Sequence, residues 1–493
     1  MTMTRRIRPI QTLGPLFADK YAFTMAQALF TLGSHNTNTA FNMFIRTNPF
    51  DGGYLLTGGL SDFIEWLADW KMLDEDIAHL RGQKNAEGNR LYTDDFLSFL
   101  ADATLTLNVT AMPEGTIAFP HEPIVRVEGP VWQCLAVEAA LLTFLNQGSL
   151  VATKTSRIIY AADGDPVFEG GMRRAHSLGS LLASKMSYMA GCIGTSNMKA
   201  AQLYGIPDVG TFAHAFVMLH HSELEAFENY AKAMPGSATF LVDTYGTVDG
   251  IKKVIDVAQR LLVPNGHKLL GIRLDSGDLA FLSKKGRKLL DAAGFTEASI
   301  TASNDLSEHI ILDLKKVQGA KINSWLVGTN LAVSSDQPAL GGVYKLAAVW
   351  EDDDIVRDVM KLSEDKIKIS NPGVLNVARY YRPDGSFWKD MIVAEGTSLR
   401  DGATSVDPVD ARKRTTFDAD VPQHLLLVPI TVDGKLVYTV PSLKESRDYA
   451  LAQIAQLDEA HRRFANPHTY HVGLEETLHA RKEALIDALE KGA

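Results

Sequence analysis

Lys268-Leu-Leu-Gly-Ile-Arg273-Leu-Asp275-Ser276-Gly277-Asp278-Leu279 is the stretch from which the fold is read. An apolar run with the character of a buried strand ends in one cation, two carboxylates, a hydroxyl and a glycine. A helical pattern begins at once, from Leu279 to Ala292. Charged groups are expensive to desolvate, and at the C-terminal end of a buried parallel strand they usually serve a ligand. By itself the stretch admits two readings: a ligand site, or an ion-paired strand end with an aspartate capping the next helix.

Outward from it the same rhythm repeats. Strands are expected at Thr239–Thr244, Lys268–Leu274, Ser299–Ala302, Trp325–Val327 and Val343–Val349, with helices at Gly250–Leu262, Leu279–Ala292 and Ser307–Gln318. Upstream, Trp132–Asn146 and Ser187–Tyr204 read as apolar helices. Ser222-Glu223-Leu224-Glu225 is a capping box opening another, which Pro235-Gly236 ends. Spacings of roughly 25–30 residues per strand–helix unit suit a (β/α) barrel. Toward the N-terminus, a helix is expected from around Asp19, a strand at Thr39–Arg46, and helices at Leu60–Trp70 and Asp94–Ala101. Between Thr104 and Val131 apolar and polar residues alternate, as in antiparallel hairpins. In the last part of the chain helices are expected at Leu443–Leu457 and Leu474–Leu489.

The 493 residues, 46% hydrophobic and 22% charged, allow two or three domains. The formal net charge is −10 and there is no long lysine/arginine block, which excludes a basic nucleic-acid face. Phosphates would have to be held locally, by a few arginines, backbone amides and helix N-termini. The two cysteines, Cys134 and Cys192, each lie in an apolar helical pattern and read as buried reduced thiols. No apolar run of membrane-span length is expected. The segment after Arg5, Arg6 and Arg8 is interrupted by Pro9, Pro15, Asp19 and Lys20, so no secretory signal forms and the expected location is cytoplasmic.

Five successive strand ends are polar: Asp208 to His214, Asp243-Thr244-Tyr245-Gly246, Arg273 to Asp278, Ser303-Asn304-Asp305, and Gly328-Thr329-Asn330. In a parallel barrel they converge on one rim, where such enzymes place the active site. Gly328-Thr329 offers closely approaching amides and a hydroxyl for an anion. Asp275 and Asp305 suit vicinal sugar hydroxyls, and Arg273 a carboxylate or phosphate. Gly170-Gly171-Met-Arg173-Arg174 adds flexible backbone with adjacent cations, or is an ordinary solvated loop. Together these groups point to a phosphorylated sugar. No P-loop, Rossmann glycine pattern or metal-ligand spacing occurs. His220-His221 suits a surface or capping role. His214, after a strand and beside Thr211, is either a rim residue, a general base or a nucleophile that accepts a phosphoryl group.

With these residues assembled, the chain resembles the nicotinate phosphoribosyltransferases. The resemblance rests on Leu16-Phe-Ala-Asp19-Lys-Tyr21-Ala-Phe-Thr-Met25-Ala, Phe44-Ile-Arg46-Thr-Asn-Pro49, Gly191-Cys-Ile-Gly194-Thr195-Ser196-Asn197, Gly210-Thr211-Phe-Ala-His214, Arg273-Leu-Asp275-Ser276-Gly277-Asp278, and Gly328-Thr329 followed by Gly341-Gly342-Val-Tyr344-Lys345-Leu. It implies the type II phosphoribosyltransferase fold: an irregular α/β barrel with an N-terminal α/β sandwich domain and a C-terminal mixed, helical region. The corresponding division is 1–131, completed by parts of 375–440, then 132–350 and 351–493. It also implies an ATP-coupled ligase that joins nicotinate to 5-phosphoribosyl 1-pyrophosphate, giving nicotinate mononucleotide and pyrophosphate in NAD salvage.

Carried over by position, His214 matches the histidine that ATP phosphorylates. Tyr21, Thr211 and Arg273 match residues around nicotinate, with Arg273 near its carboxylate. Gly328 and Thr329 match the phosphate cradle, Asp275 and Asp305 would hold the ribose, and Arg173 would help with the phosphorylated sugar. Mg2+ would arrive with phosphoribosyl pyrophosphate or ATP, without a protein-only metal site. Family members are usually homodimers, the Tyr21 segment reaching the other subunit's barrel. Many relatives carry an aromatic residue, stacked on the pyridine, where this chain has Gly170; Phe168 is the candidate substitute. Rival readings are a nicotinamide or quinolinate phosphoribosyltransferase, a sugar-phosphate aldolase or isomerase, and a non-enzymatic ligand-binding barrel. The aldolase would want a catalytic lysine on an inner strand, and none stands among the strand ends.

Overall fold

Successive side chains of a strand face opposite sides of a sheet, and this alternation shapes the unit formed by Lys154–Pro338. In the computed structural model of the chain, which describes residues 13–352, 355–363 and 369–491, that unit contains a sheet of six parallel strands. Their order is Gly194–Thr195, Val167–Glu169, Ser324–Val327, Ser299–Ala302, Gly271–Leu274 and Thr239–Leu241. One face carries Ile272, Leu274, Ile300, Ala302, Trp325 and Val327, all without solvent exposure. Helix Leu279–Ala292 packs on that face so closely that a Cβ added to Gly286 would lie 3.3 Å from both Ile251 and Ile272. The other face carries Phe168, Arg273, Ser299, Thr301 and Leu326, which line a cavity of about 970 Å³. A regular barrel fills this space with branched aliphatic side chains. Hydroxyls and one arginine leave it hollow instead.

The barrel is irregular because its two edge strands, Gly194–Thr195 and Thr239–Leu241, are not paired with each other. The chain extends the first edge. Thr195 N–H donates to the Pro207 carbonyl (3.0 Å) and Val209 N–H to the Thr195 carbonyl (2.9 Å), and the backbone then runs on to His214. The expected helix at Ser187–Tyr204 is in fact two helices, Ser177–Met189 and Met198–Tyr204, with Gly194–Thr195 between them. Three buried serines, Ser180, Ser184 and Ser187, disguise the first in sequence. The hydroxyls of Ser180 and Ser187 donate to carbonyls three or four residues back, which satisfies them inside a helix, and that of Ser184 reaches the Glu169 carboxylate. Cys192 accordingly lies after a helix rather than within one; it and Cys134 are buried and in no disulfide.

The other unit joins Met1–Thr153 with Ala339–Ala493. Its seven-stranded antiparallel sheet runs Ile355–Asp358, Gly342–Asp352, Asn38–Ile45, Val125–Pro130, Asn108–Ala111, Val428–Val432 and Lys435–Leu436. The strand expected at Val343–Val349 therefore pairs with Asn38–Ile45 and takes no part in the parallel sheet. Val428–Val432 returns from late in the chain to pair with Asn108–Ala111. A six-stranded sheet includes Leu375–Tyr381 and Phe387–Ala394, and helices Leu443–Gln456 and Glu476–Glu490 come later in the chain. Helix Asp74–Arg81, short and polar, has no counterpart among the expected elements. Phe63, Phe96, Leu97, Val109, Val125 and Val127 belong to this unit's apolar core.

Helix Val131–Ala162 is 32 residues long and, contrary to expectation, apolar and long enough to cross a membrane. Of its most apolar stretch, 67% is buried inside the protein, as in the core helix of a globular fold. Arg5, Arg6, Arg8 and Pro9, on which the reading of the leader partly rests, lie outside the described residues.

Candidate active site

All residues lining the 970 Å³ cavity belong to the barrel unit. Of the residues singled out in the sequence, His214, Arg173, Thr211, Arg273, Asp275, Asp305, Gly328 and Thr329 line it together. Tyr21 is placed elsewhere, on helix Lys20–Thr31 of the other unit. Its side chain is about half exposed, yet burial and a hydrogen bond to Glu138 push the phenol up to about 12.

The opening stretch folds as a strand and a helix joined by a tight turn. Gly271–Leu274 is the strand, Gly277 turns the chain with a positive φ of 79°, and Leu279–Ala292 is the helix. Asp278 caps that helix, its Oδ1 accepting from the Phe281 N–H at 2.9 Å, and it does not line the cavity. The two readings of the stretch thus apply to different residues: Asp278 is the cap, while Arg273 and Asp275 face the cavity. Asp278→Ala should therefore cost about 1 kcal/mol of stability, as lost N-caps do. Unfolding in urea and steady-state kinetics on the same variant check this, the KM values staying within twofold of the wild type.

Arg273 sits in mid-strand, where alternation turns it inward. Its Nη1 donates to Thr211 Oγ1 and its Nη2 to the Phe212 carbonyl, both at 3.4 Å, and its buried Nε finds no hydrogen-bond partner. Burial pulls the guanidinium below its usual range; Asp275 and Asp243 oppose this, and the like charge of Arg173 adds to it. A cation held this loosely, in a cavity and beside a second cation, is short of an anion. A carboxylate is the natural fit.

Asp275 is held from several sides. Its N–H donates to Asp243 Oδ2 (2.9 Å), Ser276 Oγ donates to the same oxygen (2.6 Å), and Ser303 Oγ donates to Asp275 Oδ1. Asp275 Oδ2 lies 3.8 Å from His214 Nε2, while His214 Nδ1 is 3.0 Å from Thr244 Oγ1. The imidazole is thus fixed between a hydroxyl and a carboxylate, with its side chain 40% exposed to incoming ligand. Asn304 and Asp305 both take positive φ, 82° and 44°, in the loop that presents Asp305 to the cavity. Across that loop, Asn330 Nδ2 donates to the Leu306 carbonyl at 2.9 Å. The two glycine-bearing loops approach as side chains would forbid: a Cβ on Gly171 would meet the Gly328 carbonyl oxygen at 2.7 Å and would overlap Ala332 Cβ.

At Gly170 a Cβ would lie 2.8 Å from Leu326 Cδ1, so the Leu326 side chain occupies the space into which a larger residue at 170 would grow. Phe168 and Leu326, paired in register, supply the apolar wall of the cavity. Leu326 and Thr301 are not among the residues singled out in the sequence, and Ser303 and Asp243 appear there only as members of polar strand ends, with no role of their own. The alternation Ser299-Ile-Thr301-Ala-Ser303 carried the signal, since a period of two puts its three hydroxyls on one face. His220 and His221 stay out of the cavity lining: His220 Nδ1 is 2.8 Å from the Phe216 carbonyl, and the His221 N–H donates to Glu225.

Comparison with known proteins accounts for most of the chain. Three family models match: the nicotinate phosphoribosyltransferase N-terminal domain over residues 16–146, the nicotinate phosphoribosyltransferase family over 167–350, and the C-terminal domain of the same enzymes over 375–482. A nicotinate phosphoribosyltransferase of Bacillus subtilis is 36% identical over 477 residues, covering 95% of this chain and 94% of its own. The Homo sapiens nicotinate phosphoribosyltransferase is 31% identical over 541 residues, covering 97% of each. The crystal structure of human nicotinic acid phosphoribosyltransferase superposes with a TM-score of 0.81 at 29% identity, over 95% of this chain and 99% of that one.

Proposed function

The chain belongs to the nicotinate phosphoribosyltransferase family, and on that premise we propose that it joins nicotinate to 5-phosphoribosyl 1-pyrophosphate with ATP hydrolysis coupled through a phosphohistidine at His214. The observation that carries this reading is one cavity lined by a carboxylate-seeking arginine, two carboxylates for a ribose, a glycine cradle and a fixed, accessible histidine. The pyridine nitrogen attacks the anomeric carbon while the bond from that carbon to the pyrophosphate oxygen breaks, through an oxocarbenium-like state. Arg273 and Thr211 orient the base by its carboxylate, Asp275 and Asp305 hold the ribose hydroxyls, and Gly328, Thr329 and Arg173 take the phosphate. Positioning of this kind is worth roughly 7–11 kcal/mol of a barrier, and the step needs no strong base.

In the ATP half-reaction, the γ-phosphoryl passes to an imidazole nitrogen of His214 and leaves ADP; water later returns the phosphate. A phosphoryl group there would add negative charge beside Asp275 and bias the site toward releasing its anionic product. Asp275 and Asp305, carboxylates on the cavity wall, are oxygen donors of the kind Mg2+ accepts; brought with the diphosphate or ATP, the ion would neutralise phosphate charge there. The working protein is a homodimer in the cytoplasm, with Tyr21 of each subunit serving the barrel of the other. Cys134 and Cys192, buried and in no disulfide, suit a reducing compartment.

A turnover assay with nicotinate, nicotinamide and quinolinate, each with phosphoribosyl pyrophosphate and with or without ATP, tests the reading. Nicotinate should react at least a hundredfold more efficiently than the others, and ATP should raise its turnover. A faster reaction with nicotinamide or quinolinate would overturn the assignment of the base.

A further inference from the structure

The wall beneath the cavity holds a carboxylate that the reaction does not touch. Glu169 lies between the cavity-lining Phe168 and Gly170, is 1% exposed, and points to the opposite face of the strand. Burying a carboxylate is costly unless it is fully hydrogen bonded, and Glu169 meets that condition. One oxygen accepts from the Gly171 N–H; the other accepts from Thr195 Oγ1 at 2.5 Å and Ser184 Oγ at 3.0 Å. The donors come from three elements: the loop that carries Arg173, the strand Gly194–Thr195 and the helix Ser177–Met189. Backbone bonds flank the same point, Ser196 N–H to the Glu169 carbonyl and Gly170 N–H to the Val327 carbonyl, both at 2.8 Å.

What this anchor holds is a crowded placement beside a like charge. Arg173 shares the cavity with Arg273, close enough for the two cations to repel. Gly171 lies so close to the Gly328 carbonyl that a Cβ there would clash with it, and the side chains of Met172, Arg173 and Arg174 are exposed. We propose that Glu169 is a positioning residue for phosphoribosyl pyrophosphate binding: its carboxylate ties the Gly171 amide to the strand and helix behind it, and so holds Arg173 at the phosphorylated sugar.

The proposal rests on the reading of Arg173 given above, and the experiment separates the two. In the full-length enzyme, Glu169→Gln exchanges one acceptor oxygen for a donor, so either the bond from the Gly171 N–H is lost or both hydroxyl bonds are reversed. It should raise the KM for phosphoribosyl pyrophosphate about tenfold, with the KM for nicotinate and kcat within twofold. Arg173→Ala should produce the same split, and the double variant should be no worse than Arg173→Ala alone, because Glu169 acts through that arginine. Additive effects in the double variant, or a Glu169→Gln that shifts both KM values and kcat together, would overturn the role of Glu169. An unchanged KM for phosphoribosyl pyrophosphate in Arg173→Ala would instead remove the reading of Arg173, and the inference with it. If Glu169→Gln does not fold, Thr195→Val, which removes one donor to the same carboxylate, should show the split in weaker form, and its absence counts against the proposal equally.

Discussion

His214→Ala, incubated with ATP labelled at the γ-phosphate, should carry no acid-labile phosphate, whereas the wild type should carry up to one per chain. The same variant should lose the response of nicotinate turnover to ATP, while slow transfer without ATP persists, because base and sugar are held by other groups. This effect is among the largest expected because the chemistry has no substitute. Among the residues that line the cavity, His214 is the only histidine; neither His220 nor His221 is among them. Label retained in His214→Ala would move the phosphoryl acceptor to another residue. A label-free variant that still responds to ATP would detach ATP use from phosphohistidine. Thr244→Val, which removes the hydroxyl 3.0 Å from Nδ1, should slow labelling without abolishing it.

Arg273→Ala should raise the KM for nicotinate about a hundredfold and change that for phosphoribosyl pyrophosphate far less. The size comes from the loss of a partly buried, charge-assisted contact, roughly 2–5 kcal/mol, at about 1.4 kcal/mol per factor of ten. Arg273 has a free Nε and only two long hydrogen bonds within the chain, so most of its donor capacity is available to a ligand. Arg273→Lys should recover little, since an ammonium cannot reproduce the planar fork. Steady-state kinetics with each substrate varied in turn measures the effect. Unchanged nicotinate KM in Arg273→Ala would give the arginine another task, with Arg173 the next candidate for the carboxylate.

Much of this site was legible in the chain because strand ends announce themselves. Arg273 to Asp278 and Gly328-Thr329 break apolar runs abruptly, and parallel topology then brings them to one rim. Asp278 could not be separated from its neighbours by sequence, because a capping aspartate and a ligand-binding aspartate look alike until the Phe281 amide is seen to occupy its oxygen. The hollow interior was legible only in part. Thr301 and Leu326 are ordinary strand residues, and what makes them site residues is the direction they face. The expected helix at Ser187–Tyr204 failed for a different reason: buried serines bonded to their own helix read as polar surface. The strand at Gly342–Asp352 was found, but its antiparallel partner lies some three hundred residues earlier in the chain, and local pattern carries no information on such pairing. Tyr21 was visible only through family resemblance. Nothing in its own segment marks it as more than the half-exposed face of a helix.

The central claim is that one end of the parallel sheet holds both the base and the sugar phosphate, and a crystal structure of the protein with nicotinate mononucleotide tests it most directly. The pyridine carboxylate should pair with Arg273 beside Thr211, with the ribose hydroxyls on Asp275 and Asp305 and the 5′-phosphate on the amides of Gly328 and Thr329. A nucleotide bound with its phosphate on Arg273, or outside the cavity lined by His214, would contradict it.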